Sequence, residues 1–300
     1  MIKPYIIEEG ITGLGERYVK VGGCGNFSVM KTFDCGQAFR FDPVEIEGYS
    51  IAFSGIAFGR HVTFCENEGA FDDGTQITVI GSDAREFDSI WRHYLALDID
   101  YDEIDRAIVE SIPDARDRDE MKKAVECGAG IRILRQDSFE SLISFIISQN
   151  NNIPRIKKII SALCEKYGTD GSFPTAEALA SAGVEEIFAL RTGFRAGYIV
   201  DAAEKILSGE VNIAEIDALD DYDRAAEMLC KIKGVGPKVS ACVLLFGFGK
   251  TEAFPIDVWM RRSLERHFTP DFDPAVLGKN AGIAQQYLFY YERWMQGGDK

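Results

Sequence analysis

The stretch KGVGPKVSAC, residues 233–242, places two glycines and a proline ahead of Lys238, which then meets an apolar run. A lysine in that setting has two chemical uses. The glycines, Gly234 and Gly236, open dihedrals closed to other residues, and Pro237 suits a first helical turn, where its missing N–H costs nothing. The backbone N–H groups left free there, those of Gly234, Gly236 and Val239 among them, form a site for a phosphate. The positive end of the helix and the apolar surroundings also disfavour a charged ammonium, and a neutral amine is a nucleophile. Nineteen residues after the lysine, Asp257 follows Pro255 in FPIDV and precedes a predicted helix, a cap position whose N–H donors keep a carboxylate ionised. Plainer roles fit the same residues: an αα-hairpin with a surface lysine, and a helix cap alone.

A competing chemistry is set aside by spacing. GFGKT, residues 247–251, contains the Gly-Lys-Thr of a nucleotide-binding loop, but that motif needs a glycine at position 244, which is Leu244. Seven cysteines are scattered without a CxxC pair, which argues against a disulfide framework and a clustered metal site. No metal and no cofactor are expected. No run approaches the roughly 18 consecutive apolar residues of a spanning helix, and MIKPYIIEEG lacks the basic-then-apolar order of a signal peptide. The expectation is a cytoplasmic monomer with no membrane partner.

The formal charge of −15 argues at first against a polyanionic partner. It is unevenly spread: residues 66–120 carry seventeen acids, five arginines and no lysine, whereas residues 231–250 carry four lysines and no acid. Arg155, Lys157 and Lys158 form a second basic cluster, and Arg261, Arg262 and Arg266 a third. Charges act over about 10 Å at moderate salt, so three local patches can hold a phosphate backbone on an acidic protein.

These residues need a frame, and 300 residues with 46% hydrophobic content can bury a large core in two or three compact units. From Tyr5 to about Ile80, β-branched and aromatic runs such as YSIAFSGIAF, HVTFC and TQITVIG, broken by turn residues, predict strands. From Asp83 onward helical periodicity takes over. Phe139, Leu142, Ile143 and Ile146, then Ile156, Ile159, Ile160 and Leu163, mark two helices with one buried stripe each, separated by SQNNNIPR. Asp137 and Thr175 stand at cap positions. Around Lys238 the pattern predicts helix, GVG turn, helix over about 222–247, with Val239, Cys242, Val243 and Phe246 as the second helix's apolar stripe.

A GVGPK hairpin followed by Pro-x-Asp resembles the helix-hairpin-helix superfamily of DNA base-excision glycosylases. A longer set of pieces, CGQAFRF, YLALDIDYDEI, IRILRQDSFESLISFIISQNNNIPRI, TGFRAGYI, GVGPKVSAC, FPIDV and AGIAQQYLF, in that order, resembles the eukaryotic type of 8-oxoguanine DNA glycosylase. No cysteine follows Asp257, so the four-cysteine iron–sulfur loop of other branches is missing. The alkyl-base branch lacks the lysine. The resemblance implies an α+β fold, with an antiparallel β-sheet domain over 1–110 and an all-helical glycosylase body over 111–300. It implies a bifunctional glycosylase/AP lyase acting on duplex DNA that contains 8-oxoguanine.

In that scheme Lys238 is the nucleophile and Asp257 the anion beside an oxocarbenium-like sugar. The Schiff base with the sugar then permits β-elimination of the 3′ phosphate. The target base must be flipped into a pocket, where Cys242, one helical turn after Lys238, and Phe289 would sandwich it. Gln285 would read its Watson–Crick edge, and the Gly36 carbonyl would accept the N7 hydrogen that guanine lacks. Asn150 and Arg155 would contact the orphan cytosine, with Phe194 wedged into the gap beside Arg195, which would also contact the DNA. Trp259 departs from the family, whose animal members carry a phosphate-contacting histidine there; indole donates one hydrogen bond and bears no charge. An alkyl-purine or broad-range glycosylase, and a DNA-binding hairpin protein without catalysis, are the alternatives.

Overall fold

The computed structural model describes residues 3–67, 69, 72 and 74–295. Six strands come first: β1 (Tyr5–Ile11), β2 (Arg17–Gly22), β3 (Phe41–Pro43), β4 (Ile51–Ala57), β5 (Arg60–Glu66) and β6 (Ile77–Ile80), with a short helix α1 (Val29–Phe33) between β2 and β3. They form one antiparallel sheet in the order β1-β2-β6-β5-β4-β3. Thirteen α-helices follow among the described residues: α2 (Ala84–Glu86), α3 (Arg92–Tyr94), α4 (Tyr101–Glu110), α5 (Ala115–Gly128), α6 (Ser138–Ser148), α7 (Ile153–Tyr167), α8 (Ala176–Ile187), α9 (Ala196–Leu207), α10 (Ile213–Ala218), α11 (Tyr222–Cys230), α12 (Pro237–Phe248), α13 (Val258–His267) and α14 (Ala281–Met295). The expected α+β order, sheet first and helical body after, is what the chain adopts.

Two compact units result. One comprises the described residues of 1–55, 61–135 and 256–300; the other comprises 56–60 and 136–255. In the first, the sheet buries an aromatic cluster. Phe33 stacks on Phe64 at 5.2 Å between ring centroids and lies 4.6 Å from Phe41, and Trp91 meets Phe64 edge-on at 5.5 Å. Such offset and edge contacts add to the burial of the rings themselves. Helix α14 closes against α5, where Gly128 lies so near the Tyr287 ring that a β-carbon there would stand 2.5 Å from it.

The second unit is built on α6, packed against α7, α9 and α12. Asp137 caps α6 by accepting the Glu140 N–H, and Thr175 caps α8 through the Ala178 N–H, as the sequence predicts. Leu142, Ile143 and Ile146 are buried and Phe139 half-buried; Ile156, Ile159, Ile160 and Leu163 are all buried. Helix α12 differs from its expected single stripe. Every residue from Val239 to Phe246 is buried, Leu244 and Leu245 completely, so the helix is apolar all round. Phe246 stacks on Phe145 of α6 at 5.2 Å, interplanar angle 14°.

Candidate active site

Helix α11 ends at Cys230 and α12 starts at Pro237, so the hairpin turn occupies residues 231–236. Gly234 has φ +79°, and a β-carbon on it would run into the Tyr198 ring. Both backbone and space therefore require glycine. Gly236 caps α12 but has no side chain to satisfy the first-turn N–H groups, and a β-carbon there would meet nothing within 4 Å. Uncapped first-turn N–H groups beside open space are an arrangement that suits an anion. The Val239 side chain is buried, so its part in such a site is confined to the backbone. Gly234→Ala is expected to cost about 2–5 kcal/mol, left-handed strain plus overpacking, whereas Gly236→Ala leaves stability near wild type and weakens duplex affinity. Urea melts and duplex titrations of the two variants check this.

Lys238 is half-buried in the first turn of α12. Its Nζ lies 5.9 Å from the centroid of the Phe145 ring and makes no hydrogen bond or ion pair among the described residues. An amine without a carboxylate partner is free to act on a ligand. Cys242, buried one turn later on α12, completes what this unit supplies from the hairpin.

The SQNNNIPR segment forms a second cluster in the same unit. Asn150 is exposed with φ +48°, the left-handed conformation that suits asparagine, and Asn152 caps α7 through the Arg155 N–H at 3.0 Å. Arg155 is exposed, and its Nη2 donates to the Arg191 carbonyl at 3.4 Å. Phe194 is 55% exposed, its ring edge-on to Tyr198 at 5.7 Å, so the ring that excludes a side chain at Gly234 also braces Phe194. Arg195 is not at the surface. It is 3% exposed and donates to the carbonyls of Gln149 (Nε, 2.8 Å), Asn150 (Nη2, 2.9 Å) and Thr192 (Nη1, 3.2 Å), with its guanidinium 4.4 Å from the Phe194 ring. Burial, with the Arg155 charge second, pushes this guanidinium below its usual range. Its present work is to pin the Asn150 loop.

The remaining predicted residues lie in the first unit. Asp257 caps α13: Oδ1 accepts the Met260 N–H at 2.7 Å, and Oδ2 has no partner among the described residues. One oxygen thus holds the helix and the other is available. Helix α13 is fixed to α14 by Glu292, which accepts from Arg266 and is 3.0 Å from His267 Nε2. On α14, Gln285 is buried with its Oε1 unpartnered among the described residues, and Phe289 is half-buried four residues on, on the same side of the helix. Gly36 sits in a turn at φ +80° and makes no hydrogen bond among the described residues. Neighbouring Cys35 is inert: burial pushes its thiol up to about 12. Trp259 is 48% exposed between exposed Val258 and buried Met260.

The family model for the N-terminal domain of 8-oxoguanine DNA glycosylase matches residues 24–142, and that of the HhH-GPD superfamily of base excision DNA repair proteins matches residues 143–275. The 8-oxoguanine glycosylase/lyase of Clostridium acetobutylicum, solved with duplex DNA containing cytosine opposite 8-oxoguanine, is 34% identical with a TM-score of 0.81, covering 99% of this chain and 100% of that one. The chain belongs to the 8-oxoguanine DNA glycosylase family. A solved structure of MBOgg1 with a low-affinity DNA ligand is also similar, 36% identical with a TM-score of 0.83 over 98% of this chain and 99% of that one. The N-glycosylase/DNA lyase of Saccharomyces cerevisiae is 39% identical over 158 residues, 46% of this chain and 42% of that protein, so the chain spans less than half of this curated relative.

For a member of the 8-oxoguanine DNA glycosylase family, two groups of residues escaped sequence reasoning. Phe145, beneath the Lys238 amine, falls off the apolar stripe that marks α6 and carries no motif of its own. Gln286 and Gln37 hold the Gly36 turn, described below. Both lie in pieces that carry the resemblance, CGQAFRF and AGIAQQYLF, and the further signal is a polar residue at a position that the surrounding apolar pattern would bury. No described helix is long and apolar enough to cross a membrane.

Proposed function

We propose that the chain is a bifunctional DNA glycosylase/AP lyase that removes 8-oxoguanine from duplex DNA. The observation that carries the reading is the unpaired Lys238 amine at the start of α12, one turn before Cys242. A hairpin that only clamped phosphates would not need an amine set against an aromatic ring.

Lys238 attacks C1′ of the flipped nucleotide, the glycosidic bond breaks, and its electron pair leaves with the base, which takes up a proton. Asp257 stabilises the positive charge that develops on the sugar. The amine-substituted sugar opens to a Schiff base; loss of a C2′ proton then expels the 3′ phosphate by β-elimination. Cys242 and Phe289 enclose the purine, Gln285 reads its Watson–Crick edge, and the Gly36 carbonyl accepts the N7 hydrogen. Asn150 and Arg155 meet the orphan cytosine, Phe194 fills the gap left in the stack, and Arg195 holds their loop. The Gly234 and Gly236 turn takes a backbone phosphate.

The test is a duplex carrying one 8-oxoguanine opposite cytosine, incubated with the protein and borohydride. A covalent protein–DNA band is expected, and its absence overturns the reading.

A further inference from the structure

We propose that Gln286 is a positioning residue for base discrimination, which fixes the Gly36 carbonyl through the carbonyl next to it. The inference rests on the 8-oxoguanine reading above.

Successive residues of a helix are turned by about 100°, so Gln285 and Phe289 lie along one strip of α14 while Gln286 and Arg293 lie along the next. The first strip holds the predicted base contacts. The second grips the Gly36 turn: Gln286 Nε2 donates to the Cys35 carbonyl at 2.7 Å, and Arg293 Nη1 donates to the Asp34 carbonyl at 2.5 Å. Of three consecutive carbonyls, at 34, 35 and 36, the helix bonds the first two. The third is left without a partner among the described residues, because φ +80° at Gly36 turns the chain there.

The far side of the turn is held equally firmly. The Gln37 side chain is 1% exposed; its Nε2 donates to the carbonyls of Thr32 (2.9 Å) and Arg132 (2.7 Å), and its Oε1 accepts the Leu134 N–H at 2.9 Å. The Gly36 peptide is therefore suspended between two anchored residues. The bond from Gln286 to Cys35 also joins the chain neighbours of Gly36 and Gln285, each of which carries an acceptor without a partner among the described residues. Leaving buried acceptors unpaired in a folded protein is costly, a cost tolerated where a ligand brings the donors.

Discrimination between a purine with a hydrogen at N7 and one with a lone pair depends on a single hydrogen bond. Hydrogen bonds weaken steeply with angle, so the carbonyl must be held still to tell the two apart. Gln286, itself 3% exposed, supplies the restraint on the Cys35 side of that carbonyl.

The test compares wild type with Gln286→Met, which keeps length and removes the donor, in two single-turnover assays. One duplex carries 8-oxoguanine opposite cytosine; the other carries a preformed abasic site, whose cleavage needs Lys238 but no base recognition. The expected result is that 8-oxoguanine excision falls about tenfold, the equivalent of one hydrogen bond, while abasic-site cleavage stays within about twofold. Arg293→Met, at a half-buried position, is expected to show the same split at smaller size. Unchanged excision in Gln286→Met, or a parallel fall in both assays for both variants, overturns the proposal. Wild type that cleaves the abasic site but leaves 8-oxoguanine untouched overturns the underlying substrate reading instead, and the proposal with it.

Discussion

Lys238→Gln is expected to abolish strand cleavage and the borohydride-trapped adduct, and to slow base excision by at least about a thousandfold, because it removes the nucleophile that both steps share in the proposed reaction. The fold should not notice. The amine has no hydrogen bond or ion pair among the described residues, so no native partner is orphaned, and glutamine retains part of the aliphatic stem. Melting temperature should stay within the small range of ordinary surface substitutions. Lys238→Arg separates charge from nucleophilicity. It keeps a cation at the hairpin and should preserve duplex affinity, yet it offers no neutral amine and should be as inactive as glutamine. Single-turnover excision, trapping gels and a duplex titration on the three proteins decide the matter; an adduct of undiminished yield in Lys238→Gln would move the nucleophile elsewhere.

The parts of this molecule that are local in sequence could be read from it. The hairpin needs glycine at Gly234 for its dihedral and Pro237 for its helix start, and the caps Asp137, Thr175 and Asp257 each act within three residues of themselves. Such rules leave marks at fixed spacing. The parts that depend on distant chain left no such mark. Gln286 reaches a carbonyl 251 residues away, and Arg195 one 46 residues away. Because they bond to backbone, which every residue carries, neither implies any particular partner. Arg195 was expected to face DNA for this reason: an arginine in a polar loop looks the same in sequence whether it points at phosphate or at its own loop. Helix α12 misled in a related way, since a stripe of four apolar residues satisfies the pattern for one-sided burial even when Leu244 and Leu245 complete the circle.

Asp257 invites a prediction in which two roles of one side chain come apart. As the cap of α13 it uses Oδ1 on the Met260 N–H; as the anion of the proposed reaction it would use its charge and the unpartnered Oδ2. Asparagine caps helices about as well as aspartate, whereas alanine costs typically about 1 kcal/mol. Asp257→Asn should therefore melt like wild type, and Asp257→Ala about 2 °C lower, a shift kept small by the length of the chain. The loss stays local because Glu292 still ties Arg266 and His267 at the other end of α13 to α14. Catalysis should not follow stability. Both variants remove the charge opposite the developing oxocarbenium ion, and both should lose about 10²–10³ in excision rate, the size seen when one electrostatic stabiliser is deleted. Differential scanning calorimetry beside single-turnover excision gives the two readouts. If Asp257→Asn excises like wild type while Asp257→Ala fails in proportion to its lost stability, the carboxylate is a cap alone, and the charge must come from another residue.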